Sequence, residues 1–284
     1  MCLETLISRI FFSSSFHSYH SFTLNLYTCV RLTSSFKFNF SALIDGGAIE
    51  PLVAMAKAAL PSKLRLMSVD FLCIISADAR PRKYLCRSGA AEAFGLVLQQ
   101  DTPKLYKIVK RKRGIHEICN SMGDALEELY SALLALANLL EASLSHPRSR
   151  RSRSSLSDIT ANAESLEVLR QTAKSGGLEA LLILTSLPLP SATYEYSADV
   201  TSFDINELSL ESSRSLASLC PLLLSERAST FGVTHWAGDV LLALTNVLRR
   251  RASTSTGELE SERLREQQLD ALRGLACLAQ YEPL

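Results

Sequence analysis

A large excess of charge of either sign is missing from this 284-residue chain. Its 30 basic side chains face 29 acidic ones and leave a net charge near +1. No whole-molecule field therefore steers it onto nucleic acid or anionic membrane. Aromatic residues are few, at 7% with one tryptophan, and so are glycine (12) and proline (9). With an apolar share of 47%, that scarcity excludes collagen-like and low-complexity chains and leaves ordinary globular composition. No uninterrupted apolar run approaches the ~18 residues of a membrane span. The best window, Leu129 to Leu140, carries Ser131 and Asn138 within it. The seven cysteines are an odd number without a C-x-x-C pair, which predicts reduced thiols in an intracellular protein. There is no G-x-S-x-G elbow, phosphate-cradling glycine loop or H-E-x-x-H, so the expectation is a non-enzymatic chain without a cofactor. His116 and Cys119 have a spacing that can place both on one helix face. No second ligand pair accompanies them, so no metal site is expected.

Residues 1–40 stand apart. They hold seven of the eleven phenylalanines and eight serines, with Glu4 as the sole acidic residue. Their apolar residues keep neither the helical nor the strand period. An acid-poor transit segment, an arm lying on the domain, and sequence that is not native coding sequence all fit this composition. The segment is set aside as poorly structured or non-native, and residues 41–284 are taken as one helical domain.

From Ser41 the pattern is helical, and the chain repeats itself. Gly47-Ala-Ile-Glu50-Pro-Leu-Val53 recurs as Gly89-Ala-Ala-Glu92-Ala-Phe-Gly95 and as Gly176-Gly-Leu-Glu179-Ala-Leu-Leu182. The glutamates are 42 and then 87 residues apart, one period and about two. Glycine permits the left-handed turn that ends one helix and starts the next at a steep angle. The glutamate complements the dipole of the new helix. A second word alternates with the first: Ser68 to Ser76, Ala132 to Leu139, Ser212 to Leu219 and Ala271 to Ala279. Small residues stand at its first and fourth places in most copies and leucine-like ones at the fifth and eighth, as close helix packing requires.

These words resemble the armadillo repeat. Gly47 to Val53 is similar to that family's second helix, Ala132 to Leu139 to its third, and Arg80 to Gly89 to the short first helix. Asp239 to Leu248 fits either a second or a third helix. The resemblance implies an all-α fold, a right-handed armadillo-like α-solenoid of about four to five repeats with long insertions. Neither end of the array reads as capped, so the expectation is a section of a longer superhelix or ends covered by a partner. The resemblance also implies a protein or peptide partner held along a concave groove lined by third helices. The family's groove asparagine maps onto Ile74, Asn138, Ser218 and Cys277, so only Asn138 keeps it. The groove tryptophan maps onto Asp70, Leu134, Arg214 and Arg273, and the lone Trp236 falls outside. That departure argues against a nuclear-import receptor of the usual kind, and Arg214 with Arg273 suggests an acidic ligand.

The insertions carry the remaining signals. Residues 99–125 hold a basic patch at Lys107, Lys110, Arg111, Lys112 and Arg113, expected to begin as an amphipathic helix. Asp124, Glu127 and Glu128 read as a solvated helix start. Arginine–serine runs make Ser154 and Ser253 candidate phosphosites, where a phosphate would neutralise the local charge. Residues 186–203 and 249–262 read as polar loops. The expected function is a cytoplasmic interaction scaffold or adaptor, with a nuclear address in Lys110 to Arg113 as an option. The alternatives are a polyanion binder (RNA or phosphoinositide) acting through the basic insertions, and a co-chaperone-like armadillo protein.

Overall fold

The computed structural model describes residues 44, 47–58, 62–111, 115–144, 163–187, 205–225, 229–250 and 258–279. Residues 1–40, Lys112, Arg113, Ser154, Ser253 and the side chains of His116 and Cys119 lie outside the described residues. Among the described residues the chain is all helical, with eleven α-helices and no strand. They are α1 (Ile49–Lys57), α2 (Ser62–Ser76), α3 (Ala79–Ser88), α4 (Ala90–Lys110), α5 (Ile115–Met122) and α6 (Asp124–Leu144). After these come α7 (Ala163–Lys174), α8 (Gly177–Thr185), α9 (Ile205–Leu223), α10 (Trp236–Arg249) and α11 (Glu258–Ala279). Among the described residues no helix is long and apolar enough to cross a membrane.

The glycine words mark the helix breaks. Gly89 (φ 82°) and Gly176 (φ 77°) occupy the left-handed region, where a Cβ is disfavoured. Each carbonyl then accepts the first hydrogen bond of the next helix, from Ala93 N–H and Ala180 N–H at 3.2 Å. A single residue thus ends α3 or α7 and caps α4 or α8. The repeated glutamate ties the layers together. The Glu92 carboxylate takes Lys57 Nζ of α1 at 2.7 Å and Lys174 Nζ of α7 at 3.2 Å. The Lys57 hydrogen bond above all holds its carboxyl below the ordinary range.

The helices pack in rows. In one row α1 meets α4, α4 meets α8 and α8 meets α10; in the other α2 meets α6, α6 meets α9 and α9 meets α11. The rows are bridged by α1 on α2, α4 on α6, α8 on α9 and α10 on α11, while α3 lies against α7. One apolar core runs through the stack from Ala48 to Ala271. Its centre is α6, whose Leu129, Leu133 and Leu136 are wholly buried. Asp239 to Leu248, ambiguous in sequence, falls in the row of α1, α4 and α8. Gly95 and Gly177 let α4 and α8 approach so closely that a Cβ on Gly177 would stand 2.9 Å from Gly95 Cα.

Two readings of the sequence are corrected here. Glu128 is not part of a solvated helix start: it is fully buried at 0% exposure. At ~100° per residue, one step from exposed Glu127 rotates Glu128 toward α2. There Arg65 donates Nε to Glu128 Oε1 and Nη2 to Glu128 Oε2 at 2.9 Å, and Nη2 lies 3.5 Å from Asp101 of α4. Arg250 does not open a solvated loop either. It follows α10 directly and donates to the Thr185 carbonyl, to Ser209 Oγ at 3.2 Å and to Gln267 Oε1 at 3.3 Å. A cation at the C-terminus of α8 complements the helix dipole, while burial lowers its pKa. The basic residues Lys107 and Lys110 are the last turn of α4, which continues through Pro103.

Candidate binding groove

The row α2, α6, α9 and α11 carries all five groove residues read from the sequence. Cross-helix hydrogen bonds show how its members align. Ser131 Oγ of α6 donates to Asp70 Oδ1 of α2 at 2.5 Å, and Asn138 Nδ2 donates to Ser76 Oγ at 3.0 Å. Their sequence offsets, 61 and 62, are nearly constant, so α2 and α6 run parallel in fixed register. Arg263 pairs with Glu207 at 3.2 Å and Arg214 with Asp270 at 3.3 Å, both at an offset of 56. The same holds, therefore, for α9 and α11.

Asn138 is half-buried and positioned by Ser76, which is itself buried and donates to the Cys73 carbonyl at 2.6 Å. Ile74 stands exposed one turn beyond Asp70, and Leu134 packs half-buried against the core. Burial, more than the nearby Glu127, raises the Asp70 carboxyl above its ordinary range, and the Ser131 hydroxyl offsets part of that rise. Tyr130 of α6 is likewise raised by burial first and then by Glu207 and Glu211 of α9.

The two groove arginines are already occupied. Arg214 Nη1 binds Glu211 at 2.8 Å besides its contact with Asp270, and Arg273 Nη1 binds the other oxygen of Asp270 at 2.9 Å. Both pairs are solvent-facing: the Arg214 side chain is 41% exposed and that of Arg273 69%. Asp70 and Glu127 have no cationic partner among the described residues. The sequence marks Glu207 only as a capping-box partner of Asp204, whereas it pairs with Arg263, and sequence reasoning missed Glu211 and Asp270, whose pairing with Arg214 depends on the register of two helices.

On a different surface, Lys107, Lys110 and Arg111 are exposed, with Lys110 Nζ 5.8 Å from the Tyr106 ring centre. Arg111 closes α4, its N–H donating to the Ile108 carbonyl at 3.1 Å. Among the described residues no group of three or more His, Cys, Asp or Glu side chains is arranged to hold a metal. Burial pushes the thiols of Cys73 and Cys220 to about 12 and that of Cys86 to about 11, so they are poor nucleophiles.

No family model matches the chain, and no curated protein matches it. Among solved structures it aligns with the crystal structure of an engineered protein, a target of the Northeast Structural Genomics Consortium. That alignment has 18% identity, covers 95% of this chain and 96% of the other, and has a TM-score of 0.40.

Proposed function

We propose that this protein is a non-enzymatic interaction scaffold built as a right-handed armadillo-like α-solenoid of four units. The units are α1–α2, α3–α6, α7–α9 and α10–α11. A protein or peptide partner lies along the face of α2, α6, α9 and α11. One observation carries the reading: fixed-offset hydrogen bonds hold α2 with α6 and α9 with α11 in register, and α6 packs on α9, so Asp70, Leu134, Asn138, Arg214 and Arg273 lie along one row of helices. Pre-organisation of that kind lowers the entropy cost of holding an extended ligand. Because Arg214 and Arg273 are internally paired while Asp70 and Glu127 are not, the ligand brings a basic side chain to the α2–α6 end. Residues 41–284 form the domain, and its place is the cytoplasm. Nothing among these residues selects a co-chaperone role over any other adaptor role.

The test is affinity capture from native lysate with the full chain, Ile74→Arg and Tyr84→Ala as parallel baits, read by mass spectrometry. A groove partner is retained by the wild type and by Tyr84→Ala, whose exposed ring lies on α3, and is lost with Ile74→Arg. Equal retention by all three baits overturns the groove assignment. A second reading, a polyanion binder, is favoured by the exposed Lys107, Lys110 and Arg111. It predicts RNA or phosphoinositide binding that falls steeply with salt and disappears when those three are neutralised.

A further inference from the structure

The backbones of α9 and α11 meet at a pair of small residues. A Cβ added to Gly274 would stand 2.9 Å from Ala217 Cα and 3.1 Å from Ala217 Cβ. Allowing ~1.5 Å for the added bond, the two Cα atoms are at most about 4.4 Å apart. Residues 217 and 274 are 57 apart in sequence, and so are Cys220 and Cys277. Both cysteines therefore stand three residues, nearly one turn, beyond the closest approach. They also lie on facing stripes. Ser213, Arg214 and Ala217 of α9 turn toward α11, where Gln267, Asp270 and Gly274 meet them. Continuing each stripe by three residues reaches Cys220 and Cys277. Because the two helices run parallel, that step carries both thiols ~4.5 Å in the same direction. Their Cα atoms thus stay near the ~4.4–6.8 Å that a disulfide spans.

The electrostatics agree with this placement. Burial first, and then the charge of Cys277, push the Cys220 thiol up to about 12. Cys73 and Cys86 are raised by burial and by neighbouring carboxylates, with no thiol among the causes. Cys220 and Cys277 are both free thiols, the first buried and the second half-buried. Cys220 Sγ donates to the Leu216 carbonyl at 3.3 Å, a weak bond that a rotation about χ1 gives up.

We propose that Cys220 and Cys277 form a redox pair, closed as an α9–α11 disulfide by a low-molecular-weight disulfide such as oxidised glutathione. The Cys277 thiolate attacks one sulfur of the oxidant, whose S–S bond breaks and releases one glutathione thiolate. Cys220 then attacks the Cys277 sulfur of the mixed disulfide, and the second glutathione leaves. Two protein thiols lose two electrons, the oxidant gains them, and the two protons end on the two glutathione thiols. The closed bond pins the register of α9 against α11, one turn from Arg273. The inference is independent of the scaffold reading, since it concerns two side chains of one helix junction and no partner.

Peptide mapping of the full chain decides the matter, after equilibration in glutathione buffers of increasing oxidised fraction. Trypsin places Cys220 alone in peptide 215–227 and Cys277 alone in peptide 274–284. The expected product is these two peptides joined, two hydrogens lighter than their sum, with circular dichroism unchanged and both thiols restored by dithiothreitol. At ~1 mM glutathione the bridge should exceed the mixed disulfide on the order of 10-fold or more, because a held neighbour outcompetes a diffusing thiol. Cys220→Ala should leave Cys277 carrying glutathione, and Cys277→Ala should leave Cys220 unmodified. Cysteines 220 and 277 that stay free, a wild type that stops at the mixed disulfide, or either thiol joined instead to another cysteine overturns the proposal. A bridge that forms only with loss of the helical signal overturns it as well, because the folded junction would then not be what brings the thiols together.

Discussion

Arg65→Met is the most informative perturbation of the fold. Among the described residues the guanidinium of α2 is the only cation reaching Glu128, which is wholly buried, and it also meets Asp101, 1% exposed. Removing it leaves two carboxylates facing each other out of water, with Asp101 keeping Lys104 at 2.7 Å and Glu128 keeping no cation. Breaking one side of a buried pair costs about 3–5 kcal/mol, chiefly the desolvation of the orphaned charge. If that cause is right, removing the orphan as well should help. Arg65→Met with Glu128→Leu should recover at least half of the loss, since an apolar replacement of the pair carries no unpaired charge. Urea denaturation followed by circular dichroism, with the m value checked for constancy, reads both variants. A single variant losing under about 1 kcal/mol, or a double variant no better than the single, would refute the reasoning.

The pH dependence tests the same point with a definite sign. Burial already raises Glu128 above the ordinary carboxylate range, and Arg65 opposes that rise. A carboxyl whose folded pKa exceeds its unfolded one binds its proton more tightly when folded. Its contribution is therefore most favourable at low pH and declines as pH rises through the window between the two. In Arg65→Met the opposing cation is gone while Asp101 and Asp70 remain, so the window widens upward. The variant's deficit should shrink on acidification from pH 7, at up to about 1.4 kcal/mol per pH unit for one proton. A deficit that stays level or grows would sink the account.

Three further outcomes are expected from packing. Gly177→Ala places a Cβ 2.9 Å from Gly95 Cα and from Thr172 Cγ2, and should cost about 1–3 kcal/mol in thermal or urea melts; an unchanged midpoint would show that α8 moves freely from α4. Leu136→Asp buries a charge at a 0% exposed position in the central helix and should cost more than about 4 kcal/mol; a cooperative, unshifted melt would contradict it. With their thiols pushed to about 11 or 12, Cys73, Cys86 and Cys220 should resist alkylation at pH 8 in the native state and react in denaturant. Site-resolved mass spectrometry checks this, and rapid native labelling at any of the three would count against their burial.

How much of this was legible in the sequence depends on how local each feature is. The glycine words at 47, 89 and 176 announced helix breaks because a left-handed turn is a property of one residue and its neighbours. The small–large words at 132, 212 and 271 announced close packing for the same reason. Pairings across the stack were not legible. Arg65 and Glu128 are 63 residues apart, and Arg214 and Asp270 are 56 apart. Their meeting depends on the register between two helices, which no single-helix pattern contains. Glu127 and Glu128 are adjacent carboxylates in a charged stretch, and only the direction in which α6 presents each one separates a solvated residue from a buried one. Arg250 was misread for a like reason: three consecutive arginines look like a loop until Thr185, Ser209 and Gln267 close around the second.

The same polar contacts explain why the row can act as a stiff surface. Three junctions are held by different devices: Arg65 with Glu128 between α2 and α6, the approach of Gly95 to Gly177 between α4 and α8, and Arg250 with Gln267 across α8, α9 and α11. Contacts so distributed fix register locally, because every helix answers only to its neighbours. A groove residue such as Asn138 is thereby oriented before any partner arrives, through Ser76 on the adjacent helix. Arg214 and Arg273 are oriented too, through Glu211 and Asp270, with side chains 41% and 69% exposed. On the scaffold reading proposed above, the pair without a counter-charge among the described residues, Asp70 and Glu127, attracts the partner beside exposed Ile74. On that proposal the partner presents a cation and an apolar side chain about one helical turn apart, and its affinity should decline when Asp70, rather than Arg214, is neutralised.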